Sequence, residues 1–385
     1  MESKGTCSIE KTISLVLNNF LLRNMKSVSL SVILPCYNVA KYIERAVDSI
    51  LRQDFEDYEV IIINDGSPDN LLDICKKWGG KSNFKIITTA NQGVAQARNE
   101  GLRVAIGEYV FFMDPDDYIN QGMFREVMSK CHEGNFDAVH FGFQKIYEDQ
   151  GGLHYDKAEP NYIYSSNTEI ISSYMPKFIG FGQNHINSWK VGNIWDKIEF
   201  ASVWRFFFKR SVIENNKIDF DKGVSLNEDR WFCIKFFLYA SHIATINKVY
   251  YNYIVKNNGL MTGSIGNFDK LVKDKISGIS GRALLRKLYL EKKGIDIFKY
   301  YNGTVVIGAL EIIVRGAHLP IFKCIKAVKQ YLSLEDVKEA YKTTNFNGFS
   351  NKMKYPALMV KYGLMPLLVI LIHLGNKIGI KFNAD

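Results

Sequence analysis

Little in this chain could staple a fold covalently. Its six cysteines, Cys7, Cys36, Cys75, Cys131, Cys233 and Cys324, are scattered singly with no paired metal-ligand spacing. Buried reduced thiols are therefore expected, which excludes a disulfide-rich secreted scaffold. His132, His140 and His242 likewise have no partner at ligand spacing and read as structural. In the first 27 residues the apolar run Ile13 to Leu22 is interrupted by Asn18 and Asn19, and no small-residue cleavage site follows. A short helix packed on the main domain is expected there, not a signal peptide. No basic-aromatic module is visible, which argues against a nucleic-acid partner.

What is present is a large apolar fraction and an uneven charge. Of 385 residues, 47% are hydrophobic, enough for a catalytic domain and a smaller appendage. From Asn267 onward 20 Lys/Arg face nine Asp/Glu, so the overall charge of +9 comes from this tail, and the preceding two-thirds is slightly acidic. Helical spacing recurs in that tail, as in Ala283, Leu284, Leu288 and in Val305, Leu310, Ile313. Near its end Leu364 to Leu374 is strongly apolar and flanked by Lys352, Lys354, Lys361, Lys377 and Lys381. The run falls short of the roughly 20 residues that a bilayer span needs. It suits either an interfacial helix on an anionic bilayer or a helix docked on protein.

The sharpest chemical signal is Asp114-Pro115-Asp116-Asp117, directly after the apolar run Tyr109 to Met113. A strand ending in three carboxylates delivers them to the carboxyl edge of a sheet, where α/β proteins place ligands. Such carboxylates repel one another unless a cation sits among them. A hard divalent ion completed by water and phosphate oxygens would answer that need, although Asp-Pro-Asp-Asp is also a good surface turn.

The surrounding residues support a sheet. Val28 to Leu34 reads as a strand ending at Pro35-Cys36-Tyr37-Asn38. Ile43, Ala46, Val47, Ile50 and Leu51 then give an amphipathic helix ending near Gln53. Val60 to Ile63 is a continuous apolar run, as in a strand covered on both faces, and stops at the turn-rich Asn64-Asp65-Gly66-Ser67-Pro68-Asp69. A helix around Leu71 to Trp78, a strand over Phe84 to Thr88 and a helix from near Gly93 lead to the aspartate strand. The order β-α-β-α-β-α-β predicts a doubly wound, mostly parallel α/β sheet whose loops bring Asn38, Asp65 and Asp114 to Asp117 to one edge.

Together these residues resemble the glycosyltransferases of family 2, which have the GT-A fold. The matching elements are Val32 to Asn38, the Glu44 helix, Asn64-Asp65-Gly66-Ser67, Asn91-Gln92-Gly93 with Ala97-Arg98-Asn99-Glu100-Gly101, and Asp114 to Asp117, in the family's order over residues 28 to 120. Asn64 departs from the family, which often has Asp there. The resemblance implies a nucleotide-sugar donor, usually a UDP-sugar, with Asp65 near the base and a DxD metal motif holding Mn²⁺ or Mg²⁺ through Asp114, Asp116 and Asp117. Its implied donor-binding set is Pro35, Tyr37, Asn38, Glu44, Asp65, Gly66, Asn91, Gly93, Arg98, Asp114 and Lys256, the last also readable as a solvated lysine. Downstream, Glu228-Asp229 resembles the family's Glu-Asp motif at a helix start, which makes Asp229 the catalytic base and Glu228 its neighbour. A plain helix cap is the other reading of that pair. The stretch Val203 to Arg210 resembles the family's aromatic-basic segment on the acceptor side.

Such an enzyme would stabilise the departing diphosphate with the metal and deprotonate the acceptor hydroxyl from the opposite face of the sugar. The Gln-x-x-Arg-Trp motif of polymerising relatives is absent, so addition of a single sugar is expected. The expected function is thus an inverting hexosyl- or N-acetylhexosaminyl-transferase of cell-surface polysaccharide synthesis. It would act on a saccharide or lipid-linked acceptor, in the cytoplasm or on the cytoplasmic face of the inner membrane, and homo-oligomers are compatible. A nucleotidyltransferase of related fold would carry a basic glycine-rich loop after the first strand, which Cys36-Tyr37-Asn38-Val39 is not. A nucleotide-sugar sensor without turnover would not need both Asp116 and Asp229. The expected domains are an N-terminal helical extension over 1–27, a catalytic domain over 28–262 (donor side 28–120, acceptor side 121–262) and a basic helical region over 263–385. Residues 145 to 200, with Gly180-Phe181-Gly182, His185, Trp189 and Trp195, carry the least information.

Overall fold

The computed structural model describes residues 28–147, 153–182, 201–222, 227–255 and 267–377. The expected N-terminal helix, His185, Trp189, Trp195, Lys256 and Lys381 lie outside the described residues. The chain divides into two compact units. The first comprises the described residues up to 165 together with 203–222 and 240–254; the second comprises 166–182, 227–239 and the helices after 255. The expected boundary near residue 262 therefore differs from the observed division. Segments 166–182 and 227–239, read as acceptor side, fold with the C-terminal helices, because their apolar side chains are buried against them. Within that unit the Tyr289 hydroxyl donates to the Ile234 carbonyl at 2.7 Å, and the Arg282 Nε donates to the Ile179 carbonyl at 3.0 Å.

The first unit is built on one sheet. β1 (Leu30–Cys36), β2 (Tyr58–Asp65), β3 (Phe84–Thr89) and β4 (Tyr109–Phe112) lie in the order β3-β2-β1-β4, all parallel. β1 and β2 are buried at every position, which is why their sequences read as unbroken apolar runs instead of alternating ones. The crossovers are α1 (Ile43–Leu51), α2 (Leu71–Cys75) continuing into a 3₁₀ turn over Lys76–Trp78, and α3 (Val94–Val104). α1 buries Ile43, Ala46, Val47 and Ile50, the residues its 3.6 period selects.

Beyond β4 the sheet turns antiparallel. β5 (Tyr118–Ile119), β6 (Ala138–Tyr147), β9 (Phe206–Lys209) and β10 (Ile243–Val255) extend it in the order β4-β9-β6-β10-β5, with β7 (Leu153–Lys157) on β6 and β8 (Tyr162–Tyr164) on β10. α4 (Met123–Glu133) lies between β5 and β6, and α5 (Arg210–Asn215) follows β9. Phe111, Phe124, Phe141 and Phe207 meet edge to face or tilted beneath this half, with centroids 5.1 to 6.3 Å apart.

The second unit contains α6 (Glu228–Tyr239), α7 (Phe268–Lys293), α8 (Asn302–Arg315), α9 (Ile321–Leu332), α10 (Glu335–Thr343), α11 (Asn351–Lys361) and α12 (Met365–Lys377). α7 passes α6 closely enough that a Cβ on Gly281 would stand 2.8 Å from the Trp231 ring. Among the described residues no helix is long and apolar enough to cross a membrane.

Candidate active site

The carboxyl ends of β1, β2 and β4 converge, as the βαβ order requires. Pro35 is tolerated in β1 because β4 pairs only with Leu30 to Ile33, so the missing N–H lies beyond that ladder. The chain then turns at Asn38, a non-glycine residue with φ 54°. Asn38 N–H donates to Ser67 Oγ at 2.7 Å, which ties the β1 loop to the β2 loop. Ser67 in turn donates to Asp69 Oδ1 at 2.6 Å, and Ala40 N–H donates to Asp69 Oδ2 at 2.8 Å. Asp69 is thus the knot of two loops. Burial pushes its pKa up, but hydrogen bonds from Ser67, Ala40 and Leu71 prevail and hold it below the usual carboxylate range.

Asn64 is buried, and its Oδ1 accepts the Ser67 N–H at 2.9 Å. An amide serves this turn as well as a carboxylate would, which accounts structurally for the departure at this position. Asp65 is also buried: its Oδ1 accepts Gln92 N–H at 2.9 Å and its Oδ2 accepts Gly93 N–H at 2.8 Å. Those bonds shape the Asn91-Gln92-Gly93 loop that leads into α3, so Asp65 builds the wall expected to face a base. Gly66 has φ 63°, and a Cβ there would lie 2.8 Å from Asn91 N, so the β2 and β3 loops meet at a position only glycine can fill. Tyr37, Asn38, Asn91 and Gly93 are exposed at this edge, and Pro35 is buried beneath them. Glu44, on the solvent face of α1, is instead ion-paired with Lys77.

The aspartates after β4 have three different settings. Asp114 Oδ1 accepts Arg98 Nη2 at 3.0 Å, from an arginine whose side chain is almost fully buried in α3. Asp116 is partly exposed, and its carbonyl accepts Arg45 Nη2 at 2.7 Å. Asp117 is turned inward and is 1% exposed. Its Oδ2 accepts the Tyr251 hydroxyl at 2.7 Å and its Oδ1 accepts Ile254 N–H at 2.8 Å. The Tyr251 oxygen also accepts Asp114 N–H at 3.1 Å, so a single hydroxyl joins two of the three aspartates. Trp204 stacks on Tyr251 at 4.3 Å and on Tyr253 at 5.6 Å, fixing the ring that carries this hydroxyl. Burial, then the neighbouring Asp116 and Asp114, raise the Asp117 pKa well above its ordinary value; burial, then Asp117, do the same to Tyr251.

The expected trio of metal ligands is therefore not what the fold presents. Among the described residues no group of three or more His, Cys, Asp or Glu gathers in metal-holding geometry. Asp117 is committed to protein donors because β10 passes behind it. Asp114 and Asp116 remain as partly exposed hard oxygen donors at the sheet edge, a donor set suited to Mg²⁺ or Mn²⁺ that keeps most of its ligands from water and phosphate. Arg45, Asp69 and Tyr251 carry roles that the sequence reading missed. Arg45 lay beside the motif residue Glu44, and Tyr251 lay in a segment read only as strand.

In the second unit Glu228 and Asp229 form the first turn of α6. The preceding Asn227 has φ 61°, and Asp229 Oδ1 accepts Arg230 N–H at 2.8 Å. Both acids are partly exposed. Burial lowers the Arg230 pKa, with Asp229 opposing; burial and the adjacent Arg230 lower Arg282 to about 10. Arg230 thus stands beside Asp229, and Arg282 lies close enough to Arg230 to feel its charge. His132 approaches Glu108 at 3.3 Å, and His140 is buried and stacked on Phe206 at 4.6 Å, in keeping with structural roles.

The model of the family described as "Glycosyl transferase family 2" matches residues 31–202. The "Uncharacterized glycosyltransferase EpsJ" of Bacillus subtilis (strain 168) is 28% identical over 234 residues, 60% of this chain and 62% of the relative. The "Poly(ribitol-phosphate) beta-N-acetylglucosaminyltransferase TarP" of Staphylococcus aureus (strain N315) is 31% identical over 238 residues, 61% of this chain and 64% of the relative. In both cases the match spans less than two thirds of the relative's length. Among solved structures, S. aureus TarS 1-349 in complex with UDP-GlcNAc aligns with a TM-score of 0.60 at 19% identity, over 91% of this chain and 92% of that one. That likeness establishes a shared fold.

Proposed function

We propose that the chain, whose residues 31–202 match the model of glycosyl transferase family 2, is an inverting glycosyltransferase that moves one sugar from a UDP-sugar to a hydroxyl of a saccharide or lipid-linked acceptor in cell-surface polysaccharide synthesis. The observation that carries this reading is the aspartate cluster at the carboxyl edge of β4, with Asp114 held by the buried Arg98 and the β1 and β2 loops knotted beside it. UDP-GlcNAc in the TarS complex supports a UDP-sugar donor, and the β-linkage in the name of TarP supports inversion of an α-linked donor.

In this reading the base and ribose lie against the loops that Asp65 and Asp69 organise, near Asn38 and Asn91. A divalent cation held through Asp114 and Asp116 would supply Lewis-acid stabilisation of the negative charge that grows on the diphosphate. Arg98 keeps Asp114 in one rotamer, and Tyr251 with Asp117 keeps the loop in register, so the carboxylates need no reorganisation when the donor arrives. Asp229 takes the proton of the attacking hydroxyl, and Arg230, through its own N–H, orients that carboxylate. Lys256 is assigned to the donor phosphates on the family pattern alone. Lipid-linked acceptors would place the reaction at the cytoplasmic face of the inner membrane.

The test is calorimetric titration of the full chain with UDP, UDP-GlcNAc, UDP-glucose and UDP-galactose, with Mn²⁺ and then with EDTA. Binding of one UDP-sugar that needs the metal and vanishes in Asp116→Ala is the expected result. Absence of metal-dependent binding to all of them would overturn the donor class.

A further inference from the structure

α12 is apolar on both sides. Met365, Leu368, Val369 and Ile372 point inward and are buried. His373 fixes that orientation: its Nδ1 lies 2.8 Å from the Val369 carbonyl and its Nε2 lies 2.9 Å from the Leu319 carbonyl. The outward side carries Leu367, Ile370, Leu371 and Leu374, at i, i+3, i+4 and i+7, and Leu364 precedes them; these five are 39% to 54% exposed. A helix covered by water does not look like this. α9 of the same unit presents Lys326, Lys329 and Gln330 outward, as an ordinary surface helix does.

The rim of the leucine stripe is aromatic and basic. Tyr355 on α11 and Tyr362 just after it are 60% and 71% exposed. The His373–Leu319 contact brings the start of α9, with exposed Ile321 and Phe322, to the Leu374 end of the stripe. Between Glu339 and Asp385 the sequence has six lysines and no acidic residue. Lys361 also edges a shallow cavity of about 350 Å³ floored by Leu332, Val337 and Tyr341, with Lys338 and Lys342 on its rim.

We infer that this face of α11 and α12 seats the protein on an anionic phospholipid surface, leucines among the acyl chains, tyrosines at the headgroup level and lysines on lipid phosphates. Charge selects the occupant. Lys338 and Lys323 are ion-paired with Glu335 and Asp269, yet the rim stays net basic through the six lysines between Glu339 and Asp385; a second copy of this chain would bring that net positive charge against itself, whereas an anionic bilayer neutralises it. The outward stripe lies along the surface, since α12 spans only Met365–Lys377 and its other side is buried in the unit. The inference rests on the proposed function only for its purpose, which is to bring the enzyme to a lipid-linked acceptor.

Sedimentation of the full chain with vesicles of phosphatidylcholine alone, or with one third phosphatidylglycerol, tests it. Binding to the anionic vesicles is expected, at least tenfold weaker in the double variant Leu371→Gln/Leu374→Gln and about fivefold weaker for each of Lys361→Gln and Lys377→Gln. UDP-sugar titration of the same variants should be unchanged, so a failure of vesicle binding and a failure of the donor reading are separate results. Because both leucines are already about half exposed, the variants are expected to keep the fold, and circular dichroism checks this. Equal binding to both vesicle types, binding unaffected by the leucine changes, or a lipid-free dimer that Leu371→Gln dissociates would overturn the inference.

Discussion

Replacing Tyr251 with phenylalanine removes one oxygen atom and leaves every other atom of a buried ring in place, so no cavity forms and Trp204 keeps its stacking partner. Two hydrogen bonds disappear, the one to Asp117 Oδ2 at 2.7 Å and the one from Asp114 N–H at 3.1 Å. A buried bond to a charged group contributes about 1.5–3 kcal/mol, and an orphaned N–H at a partly open edge costs about 1 kcal/mol. The expected destabilisation is about 3 kcal/mol, roughly a hundredfold in the folding equilibrium. For a unit of some two hundred residues, about 2–4 °C per kcal/mol gives a melting transition about 6–12 °C lower by calorimetry. Uptake of a proton by Asp117, whose pKa burial already raises, sets a ceiling on the loss. Freed from Tyr251, the Asp114 backbone loses its register, and UDP-sugar affinity in the presence of Mn²⁺ should fall about tenfold. A melting shift below 2 °C with unchanged affinity would refute the idea that this hydroxyl holds the aspartate loop.

Asp229→Asn should lower turnover about 10²–10⁴-fold while donor affinity stays at the wild-type value, and a variant that turns over normally would remove the base assignment. Asp69 has a depressed folded pKa, so its stabilisation is present above the unfolded value near about 4 and is lost as pH falls through the folded one. Asp69→Asn should therefore be less stable at pH 7 yet show a shallower loss of melting temperature between about pH 4 and pH 2; parallel curves would contradict this. At an open helix position Gly→Ala gains up to about 1 kcal/mol, but Gly281→Ala should lose about 1–3 kcal/mol in urea unfolding, because its Cβ would press on the buried Trp231 ring.

Most of the donor half of the fold was legible in the sequence. The apolar runs of β1 and β2 are unbroken because both faces are covered, the period of Ile43, Ala46, Val47 and Ile50 selects the buried side of α1, and turn formers close each strand. The motif residues then fall on one edge by the handedness of βαβ units alone. The antiparallel half was not legible in the same way. β9, β6 and β10 join the sheet through pairings between segments far apart in the chain, and no local period records such partners.

The sequence alone determined that three carboxylates would stand at the end of β4, because a buried strand followed by Asp114-Pro115-Asp116-Asp117 has no other way to end. Which of them could meet a ligand was decided only by tertiary structure. Tyr251 lies 134 residues from Asp117, and its hydroxyl reaches that carboxylate because β10 crosses behind the β4 loop. Burial and a protein donor on each oxygen commit Asp117 to the interior, while Arg98 turns Asp114 along the edge and Asp116 stays partly in water. Side-chain type is written in the chain; the solvent and the partners that set each carboxylate's charge and availability come only from the packed fold.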